Sequence, residues 1–285
     1  MSVLEQRWVD APFCVFDLEM TGLDRSKDRI CEIGVVRSLG PTLNSRWSAL
    51  VNPEMRVSAR ARNVHGLDRD LLRKQPRFCE IANEVKAQLQ DGLLVAHNLP
   101  FDLAYLNPEL ARAGRLPCEG PSLDTLELAR RLFTFRENRL DVLCEELNVP
   151  RGQAHRALGD AEATWAVLIR MLTLLDPHGE RTVGEIVQLL ADRAPGSPKR
   201  REEREQVTHA HKARRPIQLG YLSRSGEGPR TVHARRVEVW RVGRKKFQGY
   251  CHLRQAERIF HFERVEHVSV LEGTYDIPRH RSRVS

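Results

Sequence analysis

At 285 residues the chain is long for one small module and short for three, so two domains are expected. Apolar residues at 41% and charged residues at 29% describe an ordinary globular protein and exclude a disordered, collagenous or membrane-embedded one. The net charge of +8 is unevenly spread, because residues 195–285 carry 21 Lys and Arg against 10 Asp and Glu, whereas residues 1–194 carry 25 against 28.

No run approaches the roughly 18 consecutive apolar residues of a membrane span, and Met1 to Pro12 holds no hydrophobic secretory segment. A cytoplasmic protein is therefore expected. Cys14, Cys31, Cys79, Cys118, Cys144 and Cys251 form no Cys-x-x-Cys pair and are read as reduced, mostly buried residues. An arginine-rich segment of net charge +11 suits phosphate, since guanidinium grips it through two parallel hydrogen bonds. Charge alone is served equally by a solvated basic surface.

In chain order, residues 13–18, 30–37 and 46–51 are runs of strand length rich in β-branched and aromatic residues. Leu93 to Ala96 reads as a buried central strand. Apolar residues at three- and four-residue spacing predict helices over 77–90, 101–113, 123–133, 139–147 and 157–175, with another over 183–193. Strands first, then strand and helix in alternation, give a mixed α/β sheet flanked by helices. Pro195-Gly196-Ser197-Pro198 and the charged stretch after it place a linker at 194–212, between a domain at 1–193 and a second at 213–285. In that second domain 217–222, 231–242, 247–253, 259–262 and 265–271 are short strands, and a small all-β barrel is expected.

Two carboxylates, Asp17 and Glu19, end the first strand two residues apart and so share a face. Like charges so placed repel unless a cation lies between them, and Mg²⁺ or Mn²⁺ takes oxygen ligands of this kind. His97-Asn98-Leu99-Pro100-Phe101-Asp102 leaves the end of the buried strand and opens a helix, as site loops of α/β sheets do. His155 and Asp160 are five residues apart, about 140° round a helix, so His155 belongs on the loop before the helix that carries Asp160. Four acids and one histidine suit two-metal phosphodiester hydrolysis, with the histidine taking the proton of the attacking water.

Asp17-Leu18-Glu19-Met20-Thr21-Gly22, His97-Asn98-x-x-Phe101-Asp102 and His155-x-x-x-x-Asp160, in this order, resemble the DEDDh 3′→5′ exonucleases. The resemblance covers about 13–175 and is greatest to the proofreading epsilon subunit of bacterial DNA polymerase III. It implies a ribonuclease-H-like fold in which Asp17, Glu19, Asp102 and Asp160 bind two Mg²⁺ or Mn²⁺ ions and His155 is the general base. Met20, Thr21, Gly22 and Phe101 would then meet the 3′-terminal nucleotide. The first motif is closer to that of oligoribonuclease, which leaves DNA or RNA open.

Tyr221, Gly226, Arg230-Thr231-Val232, Tyr250-Cys251-His252-Leu253-Arg254 and Arg258-Ile259-Phe260-x-x-Glu263-Arg264-Val265, within about 215–271, resemble the WYL domain, an Sm-like or SH3-like barrel, although Lys246-Phe247-Gln248 stands where the naming triplet would be; the candidates it carries over are Tyr221, Arg230, Arg254, Arg258 and Arg264. By that resemblance these five residues bind single-stranded nucleic acid or a nucleotide. The expected function is a 3′→5′ exonuclease acting on a single strand with a free 3′ end, DNA ahead of RNA, and a polymerase, helicase or other repair protein as partner. The alternatives are an RNA exonuclease and an inactive nucleic-acid-binding regulator.

Overall fold

A computed structural model describes residues 2–223 and 231–277. The chain divides into two compact units, Met1–Arg130 with Phe135–Val187, and Arg131–Thr134 with Gln188–Ser285. In chain order the first part runs β1 (Pro12–Met20), β2 (Ile30–Leu39), β3 (Thr42–Leu50), α1 (Ala59–His65), α2 (Arg69–Leu72), α3 (Phe78–Leu89), β4 (Leu93–Ala96), α4 (Leu99–Arg112), β5 (Ser122–Asp124), α5 (Thr125–Leu132), α6 (Leu140–Glu146), α7 (Ala157–Leu175) and α8 (Val183–Asp192).

Its sheet has the order β3-β2-β1-β4-β5, with β1 antiparallel to β2 and parallel to β4. The alternation of β1 explains both faces. Cys14, Phe16, Leu18 and Met20 join a core with Phe78, Ala82 and Val85 of α3 and Leu106 and Leu110 of α4. Phe13, Val15, Asp17 and Glu19 point the other way, toward the face on which α7 lies. In register with Asp17 on β2 is Gly34, and a Cβ there would fall on the backbone of Ala157 and Leu158. The missing side chain is what lets the first turn of α7 lie against the strand. Two features went unforeseen: the short strand β5 ahead of α5, and the pair α1 and α2, too short for helical periodicity to register.

The second part contains α9 (Pro198–Lys212) and the strands β6 (Ile217–Ser223), β7 (Thr231–Val242), β8 (Lys246–Cys251), β9 (Ala256–His261) and β10 (Val265–Val270). They form an antiparallel sheet of order β10-β6-β7-β8-β9. An all-β C-terminal sheet is thus present, with β9 and β10 at its edges among the described residues.

The stretch expected to be a solvated linker at 194–212 is largely helix α9. Ser197 caps it by accepting from the Arg200 amide, and Pro198 occupies the first turn. Val207 and Ala210 enter the core of the sheet with Ile217, Val237 and Phe247. Arg200, nearly buried, pairs with Glu203 at 2.9 Å and donates to the carbonyls of Phe262, Glu263 and Val265. Mixed charge hid the stripe 200-203-207-210, because the guanidinium here serves as a multiple donor to strand-end carbonyls.

All six cysteines are free thiols, Cys79 alone among them exposed. No helix among the described residues is long and apolar enough to cross a membrane. Replacing Gly34 by Ala should cost about 1–3 kcal/mol, because the clash is with backbone rather than with a yielding side chain. Urea unfolding measures this, and an unchanged midpoint would show that α7 can lift off at no cost.

Candidate active site

Three elements deliver the four acids. Asp17 and Glu19 stand at the end of β1, Asp102 in the first turn of α4 and Asp160 in the first turn of α7. Carboxylate oxygens of Asp17, Glu19 and Asp160 lie within 4.8 Å of one another. Asp102 is 4% exposed and adjoins them, its charge being a principal cause, after burial, of the raised pKa of Asp17.

Burial is the largest influence on this group and repulsion the next. Asp17 is held well above the usual carboxylate range by burial, then by Asp102, Glu19 and Asp160. Glu19 is pushed up to about 8 by burial, then by Asp160 and Glu32, against the pull of Arg156. Asp102 is raised by burial, with backbone amide hydrogen bonds opposing. Carboxylates whose joint ionisation is opposed in this way fit a hard divalent cation, which supplies the opposite charge and takes oxygen ligands.

The loop before α7 fixes Asp160. Its Oδ1 accepts from Arg151 Nη2 at 2.8 Å and its Oδ2 from the amide of His155 at 3.0 Å. His155 is exposed, has a left-handed φ of 58° and lies just outside the helix, as its spacing from Asp160 required. Sequence reasoning did not single out Arg151, nor the pair that fastens this loop. Arg156 donates to both oxygens of Glu32, with Nη2 to Oε1 at 2.6 Å, and the Ala157 amide donates to Glu32 Oε2 at 3.1 Å. Glu32, 3% exposed, stands opposite Glu19 in the β1–β2 register and so caps α7 from the sheet. The available signal was a carboxylate inside an apolar strand.

Glu19, Met20, Gly22, Leu23, Arg60 and Val64 are among the lining of a cavity of about 450 Å³. Gly22 is needed there, because a Cβ would collide with the Asp28 carboxylate. Thr21 is placed differently from expectation: it is fully buried, its hydroxyl donating to Asp28 Oδ1 at 2.8 Å and accepting from the Arg29 amide at 3.0 Å. Those bonds make Thr21 a brace for the loop rather than an open contact. Phe101 is half-buried, 5.3 Å from the Tyr105 ring, with the Arg25 guanidinium 5.3 Å over its face. His97 bridges Thr125 Oγ1 at 2.9 Å and the Asn138 carbonyl at 3.0 Å, and burial pushes its imidazole down to about 4.

In the C-terminal sheet Tyr221 is a core residue rather than a surface one. Its ring packs edge-on to Phe260 at 5.1 Å and its hydroxyl accepts from the His261 amide. Arg235, 6% exposed and stacked 5.7 Å over Tyr221, was not anticipated. Arg254 and Arg258 are exposed, Arg264 is half-buried, and Arg230 lies outside the described residues.

An α/β sheet thus carries clustered acids at the end of its central strand, and the helix closing over it brings another. Residues 14–168 match the exonuclease family and residues 202–270 the WYL domain. The chain belongs to the exonuclease family, with a WYL domain following it.

Among relatives, the PolC-type DNA polymerase III of Bacillus cereus is 36% identical over 161 residues, which are 56% of this chain and 11% of that protein. That of Thermotoga maritima is 33% identical over 180 residues, 63% of this chain and 13% of that one. The chain thus spans little more than a tenth of the length of these curated relatives. E. coli exonuclease I in complex with a dA16 oligonucleotide shares the fold at a TM-score of 0.55 and 14% identity, over 85% of this chain and 55% of that one. Exonuclease I from Methylocaldum szegediense does so at 0.52 and 19%, over 84% and 54%.

The raised pKa of Glu19 has a pH signature. A carboxyl whose folded pKa of about 8 exceeds its ordinary 4.5 stabilises the fold fully at low pH, and that stability is lost as pH rises through this window. A bound cation displaces the proton, so the rise in Tm caused by Mn²⁺ should grow from pH 5 to pH 8. At a hundredfold excess over Kd it corresponds to about 2.7 kcal/mol. Differential scanning fluorimetry with and without EDTA reads this, and a Mn²⁺ shift independent of pH would contradict it.

Proposed function

We propose that the chain is a metal-dependent 3′→5′ exonuclease that releases nucleoside 5′-monophosphates from the 3′ end of a single strand. The observation carrying this reading is the convergence of Asp17, Glu19 and Asp160 within 4.8 Å, beside buried Asp102, in an exonuclease-family unit. Asp17, Glu19, Asp102 and Asp160 would hold two Mg²⁺ or Mn²⁺ ions in the DEDDh manner. Such ions supply Lewis acidity to the phosphodiester and lower the pKa of water.

The chain's own residues do the rest. His155, on the exposed loop before α7, takes the proton of the attacking water at its imidazole. Arg151 and the His155 amide hold Asp160 in orientation. The cavity walled by Met20, Gly22, Leu23 and Val64 receives the terminal nucleoside, and Phe101 packs near its base or sugar.

DNA is the favoured substrate because the matched relatives are PolC-type DNA polymerases III. The oligoribonuclease-like motif Asp17-Leu18-Glu19-Met20-Thr21-Gly22 favours RNA as the second reading. Two domains accord with the separate cores, one around β1 and one around β7, but the second core takes in Val207 and Ala210 of α9 and so begins ahead of the expected boundary at 213. Bulges at Val239/Arg241 and Val265/His267 would help curl the second sheet toward an Sm- or SH3-like barrel. Exposed Arg254 and Arg258 would contact phosphates there. A cytoplasmic setting agrees with six free thiols. A polymerase or helicase that presents a 3′ end is the implied partner class.

End-labelled single-stranded DNA and RNA of one sequence, incubated with Mg²⁺ or Mn²⁺, test the reading. The native chain should shorten one strand progressively from its 3′ end, and Asp17→Ala should lower the rate by at least about 10³-fold. Equal turnover by the variant would remove the acids from the mechanism. A further expectation concerns the C-terminal arginines. Arg254→Ala with Arg258→Ala should weaken strand binding and flatten its salt dependence, while hydrolysis of very short substrates persists. Unchanged affinity at low salt in a filter-binding assay would show that face to be misassigned.

A further inference from the structure

The acidic character of residues 1–194 conceals a local reversal. Residues 56–74 carry six cations, Arg56, Arg60, Arg62, Arg69, Arg73 and Lys74, against Asp68 and Asp70, and all six are exposed. Three of them converge. Arg56, Arg69 and Arg73 line a separate cavity of about 220 Å³ with Asn52, Glu54 and Met55. Its acid, Glu54, faces Arg77 at 3.9 Å, and Arg73 faces Asp70 at 3.6 Å. Arg56 and Arg69 make no ion pair among the described residues, so their charge is not spent on holding the fold.

The position of this cavity gives it a use. Met55, in its wall, touches the Thr21 hydroxyl with its sulfur at 3.6 Å, and the Ser58 amide donates to the Thr21 carbonyl at 2.9 Å. Ser58 and Arg60 already belong to the cleft that contains Glu19. Arg56 and Ser58 are two residues apart, so the two cavities adjoin within about 7 Å along the chain. The segment is also firmly seated, because Leu67 and Leu72 pack on Cys31 in a small core of their own. Guanidinium groups gathered in a concave, anchored wall are suited to phosphate oxygens.

We infer that the Arg56–Arg69–Arg73 cavity is a phosphate-binding subsite that grips the backbone of the substrate strand just 5′ of the nucleotide seated in the Glu19 cleft. This rests on the exonuclease reading, which places the 3′ end in that cleft. It gives the nuclease unit a substrate grip of its own, independent of the C-terminal arginines. On this placement a dinucleotide, whose one internucleotide phosphate lies at the Glu19 cleft, offers the cavity no phosphate, whereas a longer strand offers it the next one.

The test compares the full-length native chain with Arg56→Ala/Arg69→Ala and with Arg56→Lys/Arg69→Lys. A fluorescein-labelled single-stranded oligonucleotide is titrated in EDTA at several salt concentrations, so that binding is read without hydrolysis. Loss of two phosphate contacts should weaken binding about tenfold and flatten the plot of log K against log salt by about 1.4. The lysine variant should retain the native slope. With Mn²⁺, KM for the oligonucleotide should rise in the alanine variant while kcat on a dinucleotide is unchanged. An unaltered slope and Kd in the alanine variant, or no binding of the oligonucleotide by the native chain, would overturn the subsite. The expected binding result together with no metal-dependent shortening by the native chain would support the subsite while removing the exonuclease reading, so the two failures are distinguishable.

Discussion

Carboxylates crowded at the end of one buried strand set the terms for everything around them. Burial and mutual repulsion raise the pKa of both Asp17 and Glu19, which opposes their joint ionisation without a counter-charge, and Asp102 and Asp160 are brought up beside them. Such an arrangement opposes folding, because desolvation and repulsion both act against the charged forms. It persists only because the scaffold holds it. β1 is paired along its length with β2 and packed on α3 and α4, so the acids have no freedom to spread apart. The same immobility makes the cluster ready for a cation, since little reorganisation is required when one arrives.

The attachment of α7 shows how this is done with few residues. Along one face of β2, Glu32 and Gly34 stand opposite Glu19 and Asp17. Gly34 gives the helix room to approach, and Glu32 binds the Arg156 side chain and the Ala157 amide. Glu32 thereby does two things: it satisfies an amide at the helix start that lacks a side-chain cap, and it fixes the turn from which Asp160 projects. A carboxylate beside an acidic cluster would ordinarily add to the repulsion. Its bidentate engagement with Arg156 offsets that charge.

Much of this was legible in the sequence, and the remainder was hidden for definite reasons. Asp17 and Glu19 on one strand face, Asp102 opening a helix and His155 preceding one follow from periods of 2 and 3.6 and from turn positions, which are local properties. The helix over 157–175 and the strand over 93–96 were likewise predictable, because long or wholly apolar segments give a strong local signal. Glu32–Arg156 spans 124 residues, and no local pattern couples such a pair. Thr21 was read as a nucleotide contact because it stands in the motif, and the bond from its buried hydroxyl to Asp28, seven residues on, was not legible. The burial of Tyr221 and the helix α9 were missed for a related reason: an aromatic hydroxyl and an arginine can each enter a core when backbone groups answer them, and composition does not reveal which ones will be answered.

Under the proposed function a centre of acids has a second difficulty, because the substrate proposed for it is a polyanion. The charges that gather cations repel phosphate, so attraction must come from elsewhere on the same molecule. Residues 1–194 bear a net −3, but the exposed segment 56–74, with one wall in the Glu19 cleft, bears a net +4 and leaves −7 for the rest. Acid and base are therefore segregated within the nuclease unit over a few residues instead of being averaged. Averaging would weaken both functions, since a cation interleaved among the acids would compete with a metal ion and an acid among the arginines would screen phosphate. Arg151 and Arg156 are the instructive exceptions: both sit near the acids, but Arg151 donates to Asp160 Oδ1 and the Arg156 guanidinium is directed to Glu32, so each steadies the site by holding a side chain in place.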